Sequence, residues 1–141
     1  MSFERIVVAT DFSAPSDAAL EVAVDLARRL GAELILVHAC EELGVVPGSD
    51  LAEEARAKAQ VELDMRLAAL QRRDVRARGS VRGGLPLDEI VAAAVEERAG
   101  LLVLGTEGGS RLAEALFGSL VGSVLYQAPC PVVTVRIPKD A

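Results

Sequence analysis

Three short apolar runs constrain this chain more than any other feature: residues 4–10 around Ile6-Val7-Val8-Ala9, the stretch Glu33 to Ala39, and Leu101 to Leu104. Each is too short for an ordinary helix, and the apolar, largely β-branched residues run without polar alternation. That pattern marks a strand buried on both faces. A sheet buried on both faces needs covering layers on both, and the intervening segments have the period to supply them. Ser13 offers a hydroxyl N-cap and Pro15 sits in a first turn, where its missing N–H costs nothing. Leu20, Val24, Ala27 and Leu30 follow at helical spacing and Gly31 supplies a C-terminal stop. Strand, helix and strand within about 35 residues form a βαβ unit, whose crossover is right-handed almost without exception.

The remaining chain continues the alternation. After a loop from Glu41 to Asp50, residues Leu51, Ala55, Ala59, Leu63, Leu67 and Leu70 mark a long amphipathic helix, with Glu54–Lys58 and Glu62–Arg66 at i,i+4. From Val75 to Arg82, arginines and Ser80 alternate with Val75, Ala77, Gly79 and Val81, so only one face can be buried and an edge strand is expected. Pro86 opens a third helix with Leu87, Ile90, Val91, Ala94 and Val95 on one face, and Gly100 is the expected stop. A Gly-rich loop and a fourth helical stretch precede Pro129 and Pro131, and Val132 to Ile137 forms the last strand. The order βαβαβαβαβ predicts a single α/β domain over residues 1–141, a five-stranded, mostly parallel sheet with helices on both faces.

Composition narrows the function. Fifteen basic against 21 acidic residues give a net charge of −6, and only four residues are aromatic, which disfavours both a phosphate-backbone grip and a base-stacking platform. Two cysteines and one histidine make neither a disulfide scaffold nor a zinc cluster, so a reduced, cytoplasmic protein without a metal site is expected. The uncharged stretch Ala115 to Val135 has the length of a membrane span, but its Gly, Ser, Gln and Pro content reads as helix, turn and strand. Six of 13 arginines fall between Arg66 and Arg82. They read either as an anion patch or, with more physical support, as a solvated helix end and a charged edge that resists unwanted pairing.

In an open α/β sheet, ligands bind beyond the carboxyl ends of the strands where strand order reverses. Two strand ends stand out: Ala9-Thr10-Asp11, and Leu104-Gly105 followed by Thr106-Glu107-Gly108-Gly109-Ser110. Gly118-Ser119 interrupts the apolar helical pattern nine residues after Gly109, so a helix is expected to begin there, with free N–H groups suited to an anion. These features read equally as a phosphate cradle and as an ordinary tight turn at Gly105, Gly108 and Gly109 with Gly118 easing helix packing. No G-x-x-x-x-G-K-[ST] loop and no G-x-S-x-G elbow occurs, and no catalytic residue is recognisable. His38 is expected to be a packed or hydrogen-bonded strand-end residue, and Cys40 and Cys130 small buried hydrophobes.

The opening Ile6-Val7-Val8-Ala9-Thr10-Asp11-Phe12-Ser13, the segment Leu36-Val37-His38-Ala39, the closing Ala128-Pro129-Cys130-Pro131-Val132-Val133 and the G-x2-G-x9-G-[ST] spacing of Gly105, Gly108, Gly118 and Ser119 resemble the universal stress protein family over nearly the whole chain. The resemblance implies a flavodoxin-like (Rossmann-like) sheet of order 3-2-1-4-5 and, from the spaced glycines, the ATP-binding subgroup. It further implies that Ala9, Asp11 and Ala39 meet the nucleoside, that Leu104, Gly105 and Gly108 wrap ribose and phosphates, and that Gly118, Ser119 and Leu120 donate to the phosphates. ATP, with Mg²⁺, is the implied cofactor, and a homodimer through Val132, Val133, Val135 and Ile137 the implied assembly. Glu107 stands beside the expected phosphate position, where its charge repels a polyphosphate unless a divalent ion bridges them or the side chain points to solvent. Two alternatives therefore stay open: a nucleotide-free interaction module of the same fold, and a slow ATPase or adenylyl transferase.

Overall fold

A computed structural model describes residues 2–40, 46–106 and 120–137. Its elements are β1 (Arg5–Ala9), α1 (Ala14–Leu30), β2 (Glu33–Cys40), α2 (Asp50–Arg72), β3 (Ala77–Gly83), α3 (Pro86–Glu96), β4 (Leu101–Thr106) and β5 (Val132–Arg136), with residues 120–127 also helical. The strands form one parallel sheet of order β3-β2-β1-β4-β5. The predicted α/β architecture and strand order are therefore those observed, and β3 is an edge.

Alternate residues of the central strands feed two cores. Ile6, Val8, Leu34, Leu36 and Val103 pack on one face with Leu20, Ala23 and Val24 of α1 and Leu63 and Leu70 of α2. Val7, Ile35, Val37, Leu102 and Leu104 pack on the other with Ile90, Ala93 and Ala94 of α3 and Val124. This two-sided burial is the reason these strands lack polar alternation.

Local signals set the ends of α1 as expected. The Ser13 hydroxyl accepts from the Ser16 N–H, Pro15 occupies the first turn, and Gly31 closes the helix in the left-handed region at φ 68°. Two other expectations fail. On α2 the apolar face begins with Ala52, whereas Leu51 and Ala55 are exposed, because the first turns of the helix meet the core only at Ala52 and Ala59. On α3 the expected face loses its end, Val95 being exposed, and Gly100 is not the stop. Glu97 caps the helix, Arg98 takes the left-handed conformation at φ 51°, and Gly100 instead admits the N-terminal segment: a Cβ there would stand 2.8 Å from Phe3 Cα.

The clustered arginines are largely used in ion pairs. Arg78 contacts Glu97 at 2.5 Å and Glu33 at 3.3 Å, Arg82 contacts Glu89 and Glu96 at 2.9 Å each, and Arg73 contacts Glu21 at 2.7 Å. The edge strand β3 is thus laced to α3, which favours the charged-edge reading over an anion patch. At the opposite edge, Val133 and Val135 of β5 pack partly against the chain's own α1-side core, while Thr134 and Arg136 are exposed.

Candidate functional site

Strand order reverses between β1 and β4, and a cleft of about 350 Å³ opens at their carboxyl ends. Its wall is apolar, with Val37, Ala39, Pro86, Ile90, Leu104, Leu120 and Val121, and its polar side is Thr10, Asp11, Ser13 and Ser16. Of the residues expected from the sequence, Ala9, Asp11, Ala39, Leu104, Gly105 and Leu120 come together here. Gly108, Gly118 and Ser119, like Glu107 and Gly109, lie outside the described residues.

The polar side is built by the β1–α1 turn. The Asp11 Oδ1 accepts from the Ser13 N–H at 3.0 Å, from the Ser13 hydroxyl, and from the Ser16 hydroxyl at 2.9 Å. Partial burial works against ionisation of Asp11, but these donors outweigh it and hold the carboxyl below the usual carboxylate range. The Ser13 and Ser16 donors converge on Oδ1, so an ionised carboxylate lines the cleft. Thr10, buried beneath, accepts from the Phe12 N–H at 3.0 Å and donates to Ser16 Oγ at 3.2 Å.

Phe12 takes φ 64°, an unusual conformation for a bulky residue, and its ring stacks on His38 with centroids 4.4 Å apart. His38 Nδ1 lies 2.8 Å from the Thr10 carbonyl, which can only accept, so Nδ1 carries the proton. His38 is thus the hydrogen-bonded strand-end residue expected. Cys40 is buried as expected, and burial pushes the half-buried Cys130 thiol up, which makes it a poor nucleophile.

Gly105 serves a purpose that the sequence reading did not assign. It lies inside β4, paired with Val135, rather than at the end of the strand. A Cβ there would stand 2.5 Å from the Pro15 carbonyl carbon and 2.9 Å from Ser16 N, so the bare glycine lets the first turn of α1 press against β4. Sequence reasoning also passes over Thr10, Ser16, Val37, Pro86, Ile90 and Val121 as cleft residues, and takes Ser13 only as a cap. The hydroxyls at three-residue spacing, Thr10, Ser13 and Ser16, are the available signal for the polar side; the apolar ones carry no signal beyond core hydrophobicity.

Among the described residues no helix is long and apolar enough to cross a membrane, and no group of three or more His, Cys, Asp or Glu side chains is placed to hold a metal ion.

Comparison with known proteins finds one family along nearly the whole chain. The model of the universal stress protein family matches residues 2–136. A universal stress protein of Thermus aquaticus, encoded in the 3′ region of a QAH/OAS sulfhydrylase gene, is 34% identical over 140 residues, covering 95% of this chain and 99% of that protein. The crystal structure of a family member from Burkholderia pseudomallei superposes with a TM-score of 0.76 at 28% identity, over 94% of this chain and 96% of that one. Two more distant structures share the fold: a universal stress protein in complex with cAMP (TM-score 0.75, 23% identity, 96% and 98% covered) and an Arabidopsis thaliana family protein with AMP bound (TM-score 0.75, 20% identity, 96% and 93% covered). With this sheet order and this match along its length, the chain belongs to the universal stress protein family.

Proposed function

We propose that the cleft at the β1/β4 switch point binds ATP, with Mg²⁺ on its phosphates, and that the protein is a cytoplasmic, dimeric stress-response module with little or no turnover. The observation that carries this reading is the cleft's chemistry: an apolar wall faces an ionised carboxylate, which can accept from a ribose hydroxyl or an exocyclic amine. A cavity of about 350 Å³ is at the small end of ligand sites, which suits a nucleoside whose phosphates extend outward. The phosphates would reach towards Gly108, Gly118 and Ser119, and the adenine nucleotides bound by two structural neighbours support the same ligand class. With Asp11 turned to the nucleoside, the Mg²⁺ would be held by phosphate oxygens and water.

Low turnover follows from the state of the polar groups. A carboxylate held below its usual range is a weak general base at neutral pH, and the Ser13 and Ser16 hydroxyls are already donated to it. The dimer is proposed through the β5 edge, residues Val132 to Ile137, because β5 is the outermost strand of the described sheet and a strand edge is a template for pairing.

Calorimetric titration of ATP into the protein, with and without Mg²⁺, tests the reading. The expected result is one nucleotide per chain and a raised melting temperature, both lost in Gly118→Asp, which adds bulk and negative charge at the proposed phosphate position. No heat and no thermal stabilisation at millimolar ATP would leave the nucleotide-free interaction module as the better account. Release of product on prolonged incubation would favour the enzyme reading.

A further inference from the structure

We infer that Arg66, on α2, is a positioning residue for the cleft: it clamps the β1–α1 turn in the left-handed conformation at Phe12 and so fixes Asp11 in place. This inference rests on the reading of the cleft as a nucleotide site.

The guanidinium has five N–H donors, and each has an acceptor. Nε and Nη2 grip the two oxygens of Asp17 at 2.8 and 3.0 Å, Nη1 reaches Glu62 Oε2 at 2.7 Å and the Glu62 carbonyl at 3.2 Å, and Nη2 also reaches the Phe12 carbonyl at 3.2 Å. Its Cζ lies 4.8 Å from the centroid of the Phe12 ring, and the Arg66 side chain is only 17% exposed. Phe12 is therefore linked to Arg66, by its carbonyl and its ring, and its ring also stacks on His38. His38 in turn bonds the Thr10 carbonyl, one residue before Asp11. Side chains from β2 and α2 thus hold the turn on either side of Asp11.

This arrangement matters because the backbone at Phe12 does not favour its own conformation. A bulky residue at φ 64° persists only where its surroundings over-determine it. Ion pairing to Asp17 alone would tie α2 to α1 without touching the turn. The additional bond to the Phe12 carbonyl, together with the ring contact, joins that tie to the residue next to Asp11. Without it the turn samples extended conformations, the Asp11–Ser13–Ser16 geometry is lost for part of the time, and apparent affinity falls in proportion to the population that stays competent.

Arg66→Lys is the discriminating variant, because lysine keeps a charge for Asp17 but lacks the planar fork that reaches Asp17 and Phe12 together. The expected result is a folded protein whose ATP affinity, by calorimetry, is roughly tenfold weaker, as for a turn competent about one-tenth of the time. Adding Arg66→Lys to Asp11→Asn should cause little further loss, since both act through Asp11. Wild-type affinity in Arg66→Lys, or losses that simply add in the double variant, would overturn the inference. Carbon-13 titration of the Asp11 carboxyl decides the matter independently of any nucleotide. If wild type binds no ATP, the functional reading fails, but the inference still requires the Asp11 carboxyl to titrate at higher pH in Arg66→Lys than in wild type. An unchanged Asp11 titration overturns it.

Discussion

Replacing Gly105 and Gly122 by alanine, one at a time, should move stability in opposite directions. At Gly105 the added methyl carbon would stand 2.5 Å from the Pro15 carbonyl carbon and 2.9 Å from Ser16 N, against an ordinary carbon–carbon separation of about 3.5–4.0 Å. The obstacle is backbone in the first turn of α1, so no rotamer change can relieve it, and the turn must retreat by about 1 Å. Overpacking of this kind costs about 1–3 kcal/mol, and rigid backbone on one side puts the cost near the upper end. The stiffer unfolded chain of the alanine variant offsets about 0.4–1 kcal/mol, which leaves a net loss of about 2–2.6 kcal/mol. With an unfolding entropy near 2.1 cal/mol/K per residue, a chain of 141 residues loses roughly 7–9 °C in Tm. Gly122 is exposed on the helical segment 120–127 and a Cβ there meets nothing within 4 Å, so the same substitution should raise Tm by roughly 1–3 °C. Scanning calorimetry of the two variants beside wild type is the assay. A Gly105→Ala protein that melts within about 2 °C of wild type would refute the packing argument.

Two further predictions concern the edges of the sheet. The Arg78 guanidinium, through its hydrogen bonds, holds Glu97 below its ordinary carboxyl value of 4.5, so the stability it contributes is present above that pH and is lost as pH falls through the lowered folded-state value. Glu97→Gln should therefore lower stability at pH 7 by no more than about 1 kcal/mol, with the difference from wild type shrinking below pH 4.5; urea melts at pH 7 and pH 3 measure both. At the other edge, light scattering at micromolar concentration should give twice the chain mass, and a monomer would contradict pairing through β5.

The fold was legible where its causes are local or periodic. The caps of α1 are set by Ser13, Pro15 and Gly31 within a residue or two, and two-sided burial writes itself into β1 and β2 as unbroken apolar runs. The alternation of Arg78 and Ser80 with Ala77, Gly79 and Val81 likewise gave away the edge. What escaped depends on contacts between distant segments. Leu51 has the right period but lies where α2 overhangs the core, and Gly100 is needed for its approach to Phe3 rather than for a helix stop. The candidate site divides in the same way: strand ends announced Asp11 and Leu104, and the family resemblance Ala39, whereas the Arg66–Phe12–His38 stack joins residues up to 54 positions apart and carries no periodic or motif signal.

The central claim, that an adenine nucleotide occupies the cleft between the ends of β1 and β4, is tested most directly by following backbone amide resonances of the isotope-labelled protein during titration with ATP and Mg²⁺. The account predicts saturable shifts concentrated at Ala9, Asp11, Ala39, Gly105, Gly118, Ser119 and Leu120, with β3 and α2 beyond Arg66 little affected. Shifts confined to other surfaces, or none at millimolar ATP, would contradict it.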